Sequence, residues 1–359
     1  MAPSALSSPL YLWPPSLHGG FDALAHHVWL SDNLPMTLRP SGPLAVVAAA
    51  VLWGTAGTAG AVAAADSVSL AAARLVIGGA VLALVAVLAR SRTAEPQVKA
   101  GARESVHDHG VGRGRRGNPR MIITMGVGAG AVAAYQLAFF AAVDRTGVAI
   151  GTVVAIGSGP VFTGLLSWLT DRRPPSRRWA LATAAAIAGC ALLITGGGAG
   201  GADAEGIGLA LLGGLLYALY AVIAARAIGE GMDSAAVMGV LFGGAAVIML
   251  PVLVMTGPGW LAEPRGLLTA LYLGCATTAL AYLLYGRGLR TTPVATAATL
   301  ALAEPAVAAL LGLIVLHEHL PAVSWGGLVL LALSLAVVAV PGRAASERKP
   351  APARLGSAA

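Results

Sequence analysis

A chain of 359 residues that is 57% hydrophobic and only 11% charged lacks the polar surface that a water-soluble domain of this length requires. The composition points to an all-α polytopic membrane protein. The net charge of +7 is no argument for a nucleic-acid partner, because its distribution along the chain follows membrane topology. Two cysteines, Cys190 and Cys275, each inside an apolar run, make neither a disulfide framework nor a zinc site.

Residues 1–41 contain six prolines and no apolar run of signal-peptide length. They read as a disordered N-terminal extension. The stretch from Met36, a short basic head followed by an apolar run, has the form of a natural start, which would make residues 1–35 an upstream addition. Ten apolar segments follow, at about 43–64, 69–89, 121–143, 147–170, 179–196, 206–225, 237–255, 266–286, 292–316 and 321–341. A membrane-spanning helix needs about 20 such residues. The segments show no two-residue alternation, so they are predicted as helices and not as strands of a barrel. Only two contain a charge, Arg74 in the second and Glu304 in the ninth. A basic insertion at 90–120 separates the second and third. Residues 342–359 form a tail.

Arginine and lysine set the orientation. With the N-terminus in the cytoplasm, the inside loops and tails hold 20 of the 23 basic residues. The exceptions are Arg145 and Arg265 in outside loops and Arg74 within the membrane. This places both termini of the multi-pass membrane protein in the cytoplasm.

The chain also resembles itself. Residues 144–179, "DRTGVAIGTVVAIGSGPVFTGLLSWLTDRRPPSRRW", match residues 289–325, "LRTTPVATAATLALAEPAVAALLGLIVLHEHLPAVSW". Arg145 and Thr146 align with Arg290 and Thr291, Pro160 with Pro305, and Trp179 with Trp325. The repeats span 42–196 and 206–341 and hold five helices each. Because five is odd, the second repeat enters the membrane upside down relative to the first, the arrangement of many secondary transporters.

Several short patterns now fall into order. They are Trp53-Gly54 in the first segment, Arg74 in the second, "RTGVAIGTVVAIGSGPVFTGLLSWL" in the fourth and "LYALYAVIAAR" in the sixth. The ninth and tenth carry the long stretch beginning "LRTTPVATAATLALAEPAVAALLG". In their order and duplication, over about residues 43–341, they resemble the EamA family of the drug/metabolite transporter superfamily. That resemblance implies a ten-helix inner-membrane carrier of amino acids, metabolites or drugs, in many members an exporter. Two features depart from the pattern: Asp171 stands two residues closer to Pro160 than Glu318 does to Pro305, and the 90–120 insertion is unusual. The expectation is a secondary transporter of small organic solutes working by alternating access. The alternative is a non-transporting membrane assembly or sensory protein. Too few polar groups lie in the apolar segments for an enzyme, and neither cofactor nor metal is implied. The partners are a small-molecule substrate and the lipid bilayer, with no nucleic acid; the protein is a monomer or homodimer.

The candidate substrate-binding or coupling residues begin with Glu304. A carboxylate at mid-membrane costs a few kcal/mol and ordinarily faces a cavity or a partner. It serves either as a proton or substrate site or as a structural group bonding backbone freed by Pro305. The other repeat has Gly159 at this place, so the acid is not duplicated. Pro160 and Pro305, present in both halves, are predicted helix kinks. Arg74 either snorkels to the interface or meets Glu304 or a substrate carboxylate. Tyr217 and Tyr220, and Tyr282 and Tyr285, are three residues apart, so each pair shares a helix face. With Trp53, Tyr135 and Gln136 they either line a central cavity or serve for packing or interfacial anchoring; for Tyr285, near a helix end, packing or anchoring is the reading. "GRGRRG" at 112–117 lies in a basic loop with no preceding strand and makes no nucleotide site. His317, Glu318 and His319 read as a loop without the ligand set of a metal site. The glycine pairs Gly147/Gly151 and Gly239/Gly243 allow close helix packing within the chain.

Overall fold

The computed structural model describes residues 41–60, 65–101, 119–172, 174–195, 203–315, 317 and 319–340. The N-terminal extension, much of the 90–120 insertion, Glu318 and the tail lie outside the described residues. Among those described there are ten helices long and apolar enough to cross a membrane, and no strands. They are α1 Gly42–Gly60, α2 Ser67–Ser91, α3 Pro119–Gly147, α4 Ile150–Asp171 and α5 Arg177–Ile194 in the first half. The second half holds α6 Ala204–Gly229, α7 Ser234–Met255, α8 Pro264–Leu289, α9 Val294–Val315 and α10 Ala322–Ala339. Each expected segment is present, with ends displaced by a few residues.

Local chemistry sets several boundaries. The Asp66 carboxylate accepts from Val68 N–H at 3.0 Å and Ser69 N–H at 2.9 Å to start α2. Asp203 caps α6 and Asp233 caps α7 in the same way, satisfying N–H groups that have no intrahelical partner. Between α3 and α4 the chain bends at Gly147, whose φ of 78° suits a residue without a side chain. Beyond the membrane span, α2 continues as helix to Gly101.

The helices pack mainly across the two halves, and the pattern is the same when the halves are exchanged. Helix α1 packs on α8 and α9 as α6 packs on α3 and α4, while α2 pairs with α7 and α5 with α10. These last two pairs join equivalent helices, and both run antiparallel. In α2 and α7, Ala86 opposes Gly239, Ala83 opposes Gly243, and Gly79 opposes Ala246. In α5 and α10, Arg178 Nη2 donates to Val337 O and Ser324 Oγ donates to Leu193 O. Repeats related by an axis along the membrane normal would place these pairs parallel. Antiparallel pairs mean an axis in the membrane plane, so the repeats are inverted.

The repeats also approach closely between α5 and α10. A Cβ placed on Gly189 would stand 2.9 Å from the Gly327 carbonyl oxygen, and one on Gly327 would stand 2.6 Å from that of Gly189. Only glycine permits such contact. Gly239 and Gly243 likewise pack within the chain, whereas Gly147 serves as the bend.

Candidate functional site

Three helices are irregular around one point. The α1 helix is interrupted at Thr55, which separates Gly42–Gly54 from Ala56–Gly60. The Thr55 hydroxyl donates to Leu52 O at 2.7 Å and bonds the Tyr272 hydroxyl of α8 at 2.8 Å. In α9, Val294–Leu300 and Ala303–Val315 are separate helices, with Glu304 and Pro305 in the first turn of the second. Proline is tolerated in a first turn, where its missing N–H costs no bond, and a carboxylate there meets the positive end of the helix dipole. The α8 helix contains a π-helical stretch, Cys275–Leu280, just before Tyr282. Such bulges are frequent at functional sites. Pro160 sits inside α4, with no separate helix beginning at it.

These irregularities surround a central cavity with about 50 Å³ of water-reachable space. Its walls are Trp53 and Ala56 of α1, Arg74 of α2, Tyr135 of α3, Ala155 and Ile156 of α4 and Tyr217 of α6. Tyr282 of α8 and Ala298, Ala301 and Glu304 of α9 complete it. Both repeats therefore contribute. The Nε1 of Trp53 and the Nε of Arg74 are buried and have no hydrogen-bond partner. Unpaired buried donors of this kind are costly unless a ligand or water meets them. Arg74 and Glu304 share the cavity but make no ion pair with each other. The ion pairs among the described residues are Arg145 with Asp203 and Glu205, and Arg226 with Asp171.

The cavity lies toward the face where α1 ends and α2 begins. Aromatic rings fill the space on its other side. Trp53 stands 5.1 Å from Tyr282 and 5.5 Å from Tyr285, centroid to centroid, and Tyr135 stands 6.2 Å from Tyr217. One turn beyond the cavity wall, Tyr220 and Tyr285 are fully buried. The tyrosines bond crosswise between α6 and α8: Tyr217 to Tyr285 at 3.1 Å and Tyr220 to Tyr282 at 3.2 Å, hydroxyl to hydroxyl.

The pseudo-symmetry shows why the space is one-sided. Gly42 at the start of α1 packs on Thr291, and Gly206 at the start of α6 packs on the equivalent Thr146. Counted from these glycines, Trp53 corresponds to Tyr217, and both line the cavity. Ala56 corresponds to Tyr220. Alanine leaves room on one side of the midplane, and tyrosine fills the matching room on the other.

Of the sequence candidates, Glu304, Trp53, Arg74, Tyr135, Tyr217 and Tyr282 are on the wall. Tyr220 lies just beneath it. Gln136 is buried but is not part of the wall. Tyr285, expected to pack or to anchor at the interface, packs: it is wholly buried in the cluster. Sequence reasoning missed Phe242, whose ring packs tilted against Tyr282 with centroids 3.8 Å apart, and the small residues Ala56, Ala155, Ala298 and Ala301. One signal for these alanines was available: large side chains on the same helix faces would have closed the cavity. Among the described residues no group of acidic, histidine and cysteine side chains is placed to hold a metal ion.

The sequence pattern of the EamA-like transporter family matches residues 40–195 and again residues 204–340, one match for each five-helix repeat. A protein of Bacillus subtilis (strain 168) described as "Uncharacterized transporter YwfM" is 36% identical over 302 residues, which cover 84% of this chain and 94% of that protein. A solved crystal structure shares the fold with a TM-score of 0.66 at 20% identity, covering 83% of this chain and 98% of its own. The chain is therefore a multi-pass membrane protein that belongs to the EamA-like transporter family.

Proposed function

We propose that this transporter is a secondary carrier that exports small organic solutes across the cell membrane by alternating access, with both termini in the cytoplasm. The observation that carries this reading is the cavity at the junction of two inverted repeats, with one cation, one carboxylate and aromatic walls. Arg74 would hold a solute carboxylate and Glu304 an amine, while Trp53, Tyr135, Tyr217 and Tyr282 receive the apolar body. Amino-acid-like solutes and related metabolites fit that chemistry. A cavity of about 50 Å³ holds only a few waters, so a solute of this class enters as the helices around Thr55 and the α9 break move apart. A scaffold or sensory protein would have no need of charged groups facing an enclosed central space, which favours the carrier reading.

Glu304 is further proposed as the coupling site, carrying a proton in exchange for solute. The test is solute flux in liposomes holding the purified protein, with and without a pH gradient. Gradient-driven flux that Glu304→Gln abolishes supports coupling at this residue. Flux that follows the pH gradient equally in Glu304→Gln places coupling elsewhere. Absence of flux for zwitterionic, anionic and cationic solutes alike rejects transport.

A further inference from the structure

A second cavity, of about 350 Å³, lies in the cleft between α4 and α5, beside the basic loop that joins them. Its walls are almost wholly apolar, with Val161, Leu165 and Trp168 on α4 and Trp179, Ala184 and Ile187 on α5. Val161, Leu165 and Trp168 are exposed, so the cleft opens sideways toward the bilayer and not toward the central cavity.

Two observations distinguish it from ordinary lipid-facing surface. The indole of Trp179 reaches against α4 because residue 164 is glycine; a Cβ there would collide with the ring. The Trp179 ring thereby forms part of the cleft wall. The loop that closes this end of the helix pair, which contributes Pro175 to the cleft, is also basic. Arg172 terminates α4, its N–H donating to Trp168 O at 2.8 Å, and Arg177 opens α5 two residues before Trp179. Both arginines are exposed, and neither joins an ion pair among the described residues. Arg178 is engaged differently, through Val337 O.

We propose that this cleft is a binding site for an anionic phospholipid. One acyl chain lies along Val161, Leu165 and Ile187, against the Trp179 ring. The headgroup phosphate rests on Arg172 and Arg177, where guanidinium groups match phosphate geometry. An apolar wall and a pair of cations at its loop end follow the order of a phospholipid from tail to headgroup. Basic pockets between membrane helices bind anionic lipid heads on the same principle.

The cleft's own tryptophans report on it. Full-length protein is placed in phosphatidylcholine vesicles doped, at equal mole fraction, with brominated phosphatidylglycerol or brominated phosphatidylcholine. Bromine quenches indoles that it touches, and comparison with Trp168→Phe and Trp179→Phe isolates the signal from the cleft. The expected result is stronger quenching of that signal by the anionic lipid. The preference should fall about fivefold for each arginine removed in Arg172→Gln and Arg177→Gln. Both positions are exposed, and an unchanged far-ultraviolet circular dichroism spectrum confirms that the variants fold. Equal quenching by the two lipids in the unaltered protein overturns the proposal, as does a preference that survives loss of both arginines.

Discussion

Arg74 of the first repeat and Glu304 of the second face one cavity without pairing with each other. Opposite charges in an apolar surrounding attract strongly, so their separation keeps both available to a third party. A solute that bridges them makes a charge-assisted bond at each end.

Replacement of Arg74 should therefore weaken binding selectively. A hydrogen bond to a charged group contributes about 1.5–3 kcal/mol, so Arg74→Gln should raise the Kd of a zwitterionic solute roughly tenfold to a hundredfold. Amine solutes lacking a carboxylate should bind nearly as before. Calorimetric titration of the detergent-purified protein with both solute types checks this, and equal losses for both would remove Arg74 from the carboxylate-binding role.

The correspondence of Ala56 with Tyr220 makes a volume prediction. Ala56→Tyr supplies the missing ring and should abolish solute binding while leaving the helices assembled. The hydroxyl of Tyr220 is a separate matter. Tyr220→Phe removes its bond to Tyr282 and should cost about 1 kcal/mol of stability, measured by thermal unfolding in detergent.

The contact between Gly189 and Gly327 leaves no space for a side chain. Gly327→Val should destabilise the protein by about 1–3 kcal/mol, the usual penalty of overpacking, or prevent assembly. Gly326, beside it, has open space around its Cβ direction. Gly326→Ala should therefore be neutral or slightly stabilising, since alanine is the better helix former. The same unfolding measurement compares the two.

Arg145 makes the shortest ion pair described, at 2.6 Å from Glu205. Both side chains are substantially exposed, and exposed pairs contribute little. Arg145→Ala should change stability by less than about 1 kcal/mol, and increasingly less as salt is added.

The ten helices were legible in the sequence because membrane spans need only length and apolarity. The inversion was legible too, from a match between halves with an odd helix count. The break in α9 had a local sign in Pro305. The break in α1 had none as clear, because Thr55 is held by Tyr272, which is 217 residues away in sequence. The cavity wall was half legible. Charged and aromatic residues in apolar runs stand out, whereas Gln136 and Tyr220 show that such residues can lie behind the wall. Helix phase alone does not say which neighbour a face meets. Tyr285 illustrates the point: nearness to a helix end left packing and anchoring both open, and α6, lying across it, makes it packing.

The backbone contact between Gly189 and Gly327 carries a mechanical consequence. Two helices pressed together without intervening side chains have little freedom to slide or roll. Whatever tilting exposes the cavity to one side and then the other, α5 and α10 should move as one strut. Spin labels attached to these two helices should report a single unchanging distance with and without solute, while labels on α1 and α6 should not.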